Sequence, residues 1–391
     1  MLILLKRDYR IDILRGLSIL SVLVLHFHLA YRLLKSPLGE LLPAPYLVNL
    51  VWNGNYGVTV FFVISGYLIT STSLRRFGSL GDVSARTFYA FRFARIFPCL
   101  LFVLAIITGL ALAKIAVFVD TGRVSIWLSD LSILTFWHNV LMAKFGYFNY
   151  CLNIFWSLSV EEVFYLAFPL LCLGLRRTRW ILIVWIAAIV AGPIYRSQHS
   201  RNEIEFLYGY LACFDAIAMG CITAVLVRWE KIPAIKPGTR RLLQLAALVF
   251  MTWIFLRAGI DSVPVWGTSL MAAGAAVFLF AEGAGRRDNG YGIASCGDRS
   301  TIDRLLTPLA WFGRHSYELY LFHIVLLGGM RTILWPEKTA PALKPLWLLF
   351  FLGISALTAW LIARFYSEPL NYRLRARLIE PRKTGPQLVG Q

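Results

Sequence analysis

The sequence is poor in charge. Only 15% of its 391 residues are Asp, Glu, Lys or Arg, against about 25% in a soluble domain. Acid is the scarcer sign: 21 Asp plus Glu face 39 Lys plus Arg, a formal net charge of +18. Cysteine is sparse as well. Six residues with no CxxC pair give neither a disulfide framework nor a zinc site. The sequence also has no Gly-x-x-x-x-Gly-Lys phosphate loop, no HExxH and no GxSxG elbow, which removes support for a nucleotide-driven pump or a serine hydrolase. What it has in quantity is apolar surface. Hydrophobic residues make up 58% of the chain, with 13 Trp, 17 Tyr and 27 Phe, and the mean hydropathy is +0.65. A soluble enzyme, a disordered protein and a disulfide-rich secreted domain are all excluded.

About 20 apolar residues span a bilayer as a helix. Runs of that kind occupy 13–33, 56–74, 96–118, 153–174, 180–196, 207–227, 242–259, 265–284, 308–330 and 346–366. The expected fold is therefore all-α, a polytopic integral membrane helical bundle of about ten transmembrane helices. The first run contains His26 and His28, has no small-x-small site after it, and is expected to remain as the first helix rather than be cleaved. In a soluble protein this basic balance would suggest nucleic acid. Here the Lys and Arg alternate instead: 27 fall on the segments shared with the N-terminus, 11 on the opposite ones, and Arg314 lies within a run. The positive-inside rule then places both termini in the cytoplasm and leaves no nucleic-acid partner. The outer stretch 119–152 is rich in aromatics, which suit an interfacial belt or a stacking surface for a sugar. The inner stretch 285–307, with four glycines in 285–297, reads as a solvated linker.

Ionisable groups at membrane depth are costly and mark pathways or sites. Arg15 stands at the inner mouth of the first run and His26 is eleven residues further on, about 16 Å deeper. Eleven steps of 100° bring it to within about 20° of the same face. A buried neutral imidazole there is either a general base for a hydroxyl or a core histidine bonded to a carbonyl. Gly57 to Tyr67, including Ser65, is either a site or a close-packed helix face. Arg92 and Arg95, with Arg86 upstream, share a face suited to phosphate, or simply anchor the helix at the inner surface. Glu161 and Glu162 enter the fourth run as adjacent carboxylates pointing about 100° apart. The ninth run carries Arg314-His315-Ser316-Tyr317 and then Tyr320-Leu321-x-His323, with His323 the deeper histidine.

These clusters, in this order, resemble the acyltransferase-3 family of polytopic membrane O-acyltransferases over roughly residues 8–375. The resemblance rests on Arg15-x10-His26, Gly57 to Tyr67, Arg92-x-x-Arg95, Ser157 to Tyr165, Ser316 to His323, and Glu368-Pro369. Val163 stands where the family commonly has Gln. The resemblance implies a domain of residues 1–375, a disordered cytoplasmic tail of 376–391, no appended hydrolase-like domain and a place in the bacterial cytoplasmic (inner) membrane. It also implies transfer of an acyl group, most commonly acetyl, from cytoplasmic acyl-CoA as co-substrate to a hydroxyl of a carbohydrate or glycosylated acceptor, with no metal. Arg92, Arg95 and Arg86 are then expected at the nucleotide phosphates and His26 as the base. Glu161 or Glu162 is expected to orient the imidazole, as in a triad, and Arg15 or a nearby Ser or Tyr to polarise the thioester oxygen. A covalent acyl-His intermediate is the open variant of that scheme. Ser65, Tyr67, Tyr317 and His323 are candidates for substrate contact or structure. The competing readings are a multi-span transporter of a small polar or anionic solute and a non-catalytic sensor. The sequence is silent on oligomeric state.

Overall fold

A computed structural model describes residues 8–41, 43–119, 122–233, 235–284 and 304–378. These residues form helices and no strand, because in lipid a helix satisfies every backbone N–H and C=O within its own segment. Among them, nine helices are long and apolar enough to cross a bilayer. In chain order the long helices are α1 (Tyr9–Tyr31), α2 (Asn55–Phe77), α3 (Ala85–Leu112), α4 (Trp156–Leu175), α5 (Thr178–Gln198), α6 (Tyr210–Arg228), α7 (Pro237–Arg257) and α8 (Gly267–Ala284). They are followed by α9 (Thr307–Arg314), α10 (Ser316–Ile333), α11 (Lys344–Ile362) and α12 (Glu368–Leu378). The chain is an integral membrane protein.

Local chemistry sets the ends. The Asp8 carboxylate accepts from the N–H groups of Arg10 and Ile11 and caps α1. Helix α2 stops at Gly78, whose φ of 84° favours glycine. Helix α3 begins eleven residues before the apolar run expected at 96, because Ser84 caps it by accepting from Thr87 N–H. Arg92 and Arg95 consequently sit two turns and more inside the helix, where their i and i+3 spacing gives them the shared face expected.

The run expected as one span over 308–330 is two helices, α9 and α10, separated at His315. The break follows from a backbone-to-backbone crossing of α9 and α1. A Cβ on Gly313 would lie 1.7 Å from the Asp12 carbonyl oxygen, and one on Gly16 would lie 2.0 Å from that of Leu309. Beyond the break, α10 has 18 residues, about 27 Å at 1.5 Å per residue. It is long enough to cross, though Glu318, His323 and Arg331 make it less apolar than the nine. Contacts from Arg15 to Ser316, His26 to His323 and Tyr31 to Leu334 run in step, so α1 and α10 are parallel. That is the relation required of the first and ninth of ten alternating crossings.

Helices α5, α6 and α8 are tied by a buried knot. Arg196 donates to Asp215 at 2.8 Å, to Ser269, to the Val265 carbonyl at 2.9 Å and to that of Ala212. Ser269 in turn donates to Asp215 at 2.6 Å. The stretch 119–152 folds as two short helices, Ile126–Leu134 and His138–Phe145. They bury Phe148 and leave Trp127 and Tyr147 exposed. At the other end, α11 continues through a π turn at Ala363–Ser367 into α12, which runs three residues past the boundary expected at 375. The rest of the expected tail, most of the linker at 285–307 and Cys296 lie outside the described residues.

Candidate active site

The parallel pair α1 and α10 brings two histidines together. His26 lies nearly five turns from the start of α1, half-buried, and His323 on α10 is fully buried. Nε2 of His323 is 3.3 Å from Nδ1 of His26, with ring centroids 4.9 Å apart. The same Nδ1 of His26 is 2.9 Å from the Val22 carbonyl oxygen. Tyr320, one turn back on α10, has its ring 5.9 Å from that of His323. Its hydroxyl donates to the Ile154 carbonyl at 2.9 Å and lies 2.6 Å from Ser157 Oγ, at the start of α4. Ser157 and Tyr320 belong to the two motifs the sequence singles out, yet neither stands out within them. Only their contact across α4 and α10 reveals that they meet one turn from His323.

The groups at His26 Nδ1 in this structure are His323 and the Val22 carbonyl, and not the glutamate expected there. Glu161 and Glu162 lie one turn and more further along α4, toward the arginines. The hydroxyls of Ser65 and Tyr165, 2.7 Å apart, face the Glu161 carboxyl, and its charged neighbours are Arg15 and Arg92. Glu162 is buried beside Arg92, with one carboxyl oxygen lacking a hydrogen-bond partner among the described residues. Both acids thus lie on the arginine side of the imidazoles.

Arg15 donates from Nε and Nη2 to Ser316 Oγ at 3.1 and 2.8 Å. Ser316 is seven residues before His323, about 10 Å along α10. The guanidinium is therefore held about two turns inward of the imidazoles, which argues against Arg15 touching the same carbonyl as His26. Tyr317 donates to the Ile96 carbonyl at 2.7 Å and so ties α10 to α3 beside Arg95. Tyr67 stands away from this column, against Gly283 with Ser71, Asp8 and Glu282 as polar neighbours.

At the inner end the guanidinium of Arg92 lies over Tyr165 at 5.4 Å and Phe88 at 5.9 Å. Two further arginines join it. Arg76, at the end of α2, lies 3.7 Å from the Phe91 ring centroid, and Arg375 of α12 lies 4.9 Å from it. Nε of Arg375 is buried without a hydrogen-bond partner among the described residues, and Arg76, Arg92 and Arg95 are its charged neighbours. In the sequence, Arg76 and Arg375 look like ordinary cytoplasmic anchors, because nothing in the spacing joins helices 300 residues apart. Arg86 is exposed on the first turn of α3 and, six residues before Arg92, is turned about 120° away from it. It is not part of the group.

From the outer side inward the order is the His26–His323 pair with Tyr320 and Ser157, then Glu161 with Ser65, then Arg15 and Arg92, then Arg76, Arg95 and Arg375. Such a column can hold a long polyanion by its charged end and present its far end to an imidazole.

Comparison with known proteins agrees in scope with this geometry. The family model for an acyltransferase domain, Acyl_transf_3, matches residues 8–364. O-acetyltransferase OatA of Staphylococcus aureus (strain NCTC 8325 / PS 47) is 25% identical over 304 residues, which is 72% of this chain and 48% of the relative. OatA of Staphylococcus aureus (strain COL) matches with the same identity and coverage. The chain spans about half the length of these curated relatives. No solved structure gives a significant match.

Proposed function

The chain belongs to the acyltransferase-3 family, and from that premise we propose that it is an O-acetyltransferase of the bacterial cytoplasmic membrane. It takes its acyl group from cytoplasmic acyl-CoA and delivers it to a hydroxyl of a carbohydrate or glycosylated acceptor. The observation that carries this reading is the series of polar groups from His26 and His323 through Glu161 to Arg15 and Arg92, with further arginines gathered beyond them. The names of the O-acetyltransferase relatives support the acetyl group.

Each residue class has a task in that chemistry. The nucleotide phosphates of acyl-CoA meet Arg92 and Arg95, joined by Arg76 and Arg375, since guanidinium matches phosphate in charge and in fork geometry. Glu161 and Glu162 keep those arginines oriented when no substrate is bound. The pantetheine arm passes Arg15 and sets the thioester beside His26. His26 removes the proton of the acceptor hydroxyl as its oxygen attacks the thioester carbon. The carbon–sulfur bond breaks, an ester forms, and the proton passes to the departing thiolate as CoA leaves. Ser157, whose hydroxyl proton is less committed to the Ile154 carbonyl than that of Tyr320 is, replaces Arg15 as the donor at the depth of the carbonyl oxygen.

The test is transfer from labelled acetyl-CoA in membranes carrying wild type, His26→Ala or Arg95→Ala at matched expression. Labelled glycan and free CoA from wild type, with both lost in the variants, are expected. Turnover that persists in His26→Ala would overturn the assignment of the base. Absence of turnover with every short acyl donor, acceptor being present, would favour solute transport.

A further inference from the structure

The hydrogen bonds around the two imidazoles admit one consistent assignment of protons. Nδ1 of His323 faces two carbonyl oxygens, Leu319 at 3.0 Å and Tyr320 at 2.7 Å. Carbonyl oxygens only accept, so this nitrogen carries the proton. In a neutral imidazole the other nitrogen is then a lone pair. Nε2 of His323 therefore presents an acceptor to Nδ1 of His26, 3.3 Å away. Nδ1 of His26 also faces the Val22 carbonyl at 2.9 Å. With acceptors on both sides, it must be the protonated nitrogen of its ring, shared between the two. The reverse assignment would set a lone pair of His26 against the Val22 oxygen.

We infer that His323 is the positioning residue for His26, holding it as the Nδ1–H tautomer so that Nε2 is the basic nitrogen. The inference deepens the acyltransferase reading and rests on it for its effect on turnover. In a triad a carboxylate behind the imidazole fixes the tautomer and balances the imidazolium. Here a second neutral imidazole, anchored to its own helix backbone, does the first task and offers a lone pair for the second. The arrangement also explains why two adjacent glutamates can be given over to arginines. It commits no carboxylate at the depth of the imidazoles, where burying a charge is most costly.

The reaction of His26 is then directional. Its Nδ1 side is closed by Val22 and His323, so the hydroxyl proton is taken through Nε2 alone. When Nε2 gains that proton, the bond from Nδ1–H to His323 becomes charge-assisted and strengthens. His323 keeps its own proton on the Leu319 and Tyr320 carbonyls throughout and touches neither substrate nor leaving group.

The experiment is nitrogen NMR of the solubilised full chain with labelled histidine at neutral pH, the two resonances being assigned by His26→Gln and His323→Gln. Both rings are expected as Nδ1–H tautomers. Protonation of His26 on Nε2 in the wild type would overturn the inference whatever the activity. Two variants add a kinetic arm. His323→Leu removes the acceptor and is expected to mix the tautomers of His26 and to lower kcat about ten- to a hundred-fold, with KM for acetyl-CoA nearly unchanged. His323→Gln, whose side-chain carbonyl can reach the place of Nε2, is expected to restore the single tautomer and most of kcat. Equal kcat in wild type and a folded His323→Leu would also overturn it. If the Leu variant does not fold, the wild-type spectrum and the Gln variant decide. Should wild type show the expected tautomers but no acyl transfer, the acyltransferase reading fails while the tautomer assignment stands.

Discussion

In the proposed mechanism a single proton decides which face of His26 reacts, and the carbonyls of Val22, Leu319 and Tyr320 place it. The companion question at this scale concerns Glu161, which faces Ser65, Tyr165, Arg15 and Arg92 and not the imidazole. Glu161→Gln keeps the shape and removes the counter-charge. It is expected to raise KM for acyl-CoA several-fold, with kcat changed less than in His26→Gln. A loss of kcat alone, as large as that of the histidine variant, would restore Glu161 as the partner of the base. The sequence made Arg15, His26, Glu161 and His323 visible because charge and imidazole stand out within apolar runs. It could not pair them, since partnership across α1, α4 and α10 depends on helix rotation and depth, and adjacent carboxylates look equivalent in a linear motif.

At the scale of elements, close crossings and buried polar knots hold the helices that carry the site. Gly313 meets the backbone of α1 at Asp12, where an added Cβ would lie 1.7 Å from the carbonyl oxygen. Gly313→Val is accordingly expected to reduce the monodisperse yield in detergent, while a valine at Gly353, with nothing within 4 Å of its Cβ position, leaves it unchanged. Equal yields would mean that α9 does not press on α1. The outer cap offers a pH readout. His138 is fully buried, 2.8 Å from Ser132 Oγ, and burial pushes its pKa down to about 3 from 6.5. The unfolded chain therefore takes up a proton near pH 6.5 that the folded chain refuses. Stability present above pH 6.5 is lost as pH falls toward 3, by up to about 1.4 kcal/mol per pH unit. The thermal midpoint should decline between pH 7 and 5 in wild type and decline less in His138→Asn; parallel profiles would contradict the assignment. Hydropathy made these elements legible where apolar runs are unbroken. It missed the early start of α3, which a serine cap permits, and the break at His315, which follows directly on a glycine crossing.

Across the whole molecule, the alternation of basic residues and the parallel course of α1 and α10 describe ten crossings with both ends on one side. Asp82→Cys, between α2 and α3, should react with an impermeant thiol reagent only from the cytoplasmic face, and Ser262→Cys, between α7 and α8, only from the opposite one. Reaction of both from one side would break the topology. The arginines of α2, α3 and α12 then converge on the cytoplasmic end, and the imidazoles lie about three turns of α1 deeper. This global arrangement was readable as a count of charges by side. The convergence of Arg76 and Arg375 on Phe91 was not, because it is a property of packing. The most direct test uses sealed vesicles of known sidedness that contain wild type or His26→Gln and a labelled acetyl-CoA restricted to one face. The account predicts CoA release and labelled acceptor only when acetyl-CoA meets the arginine face, and none in the variant. Turnover from the opposite face, or undiminished turnover in His26→Gln, would contradict it.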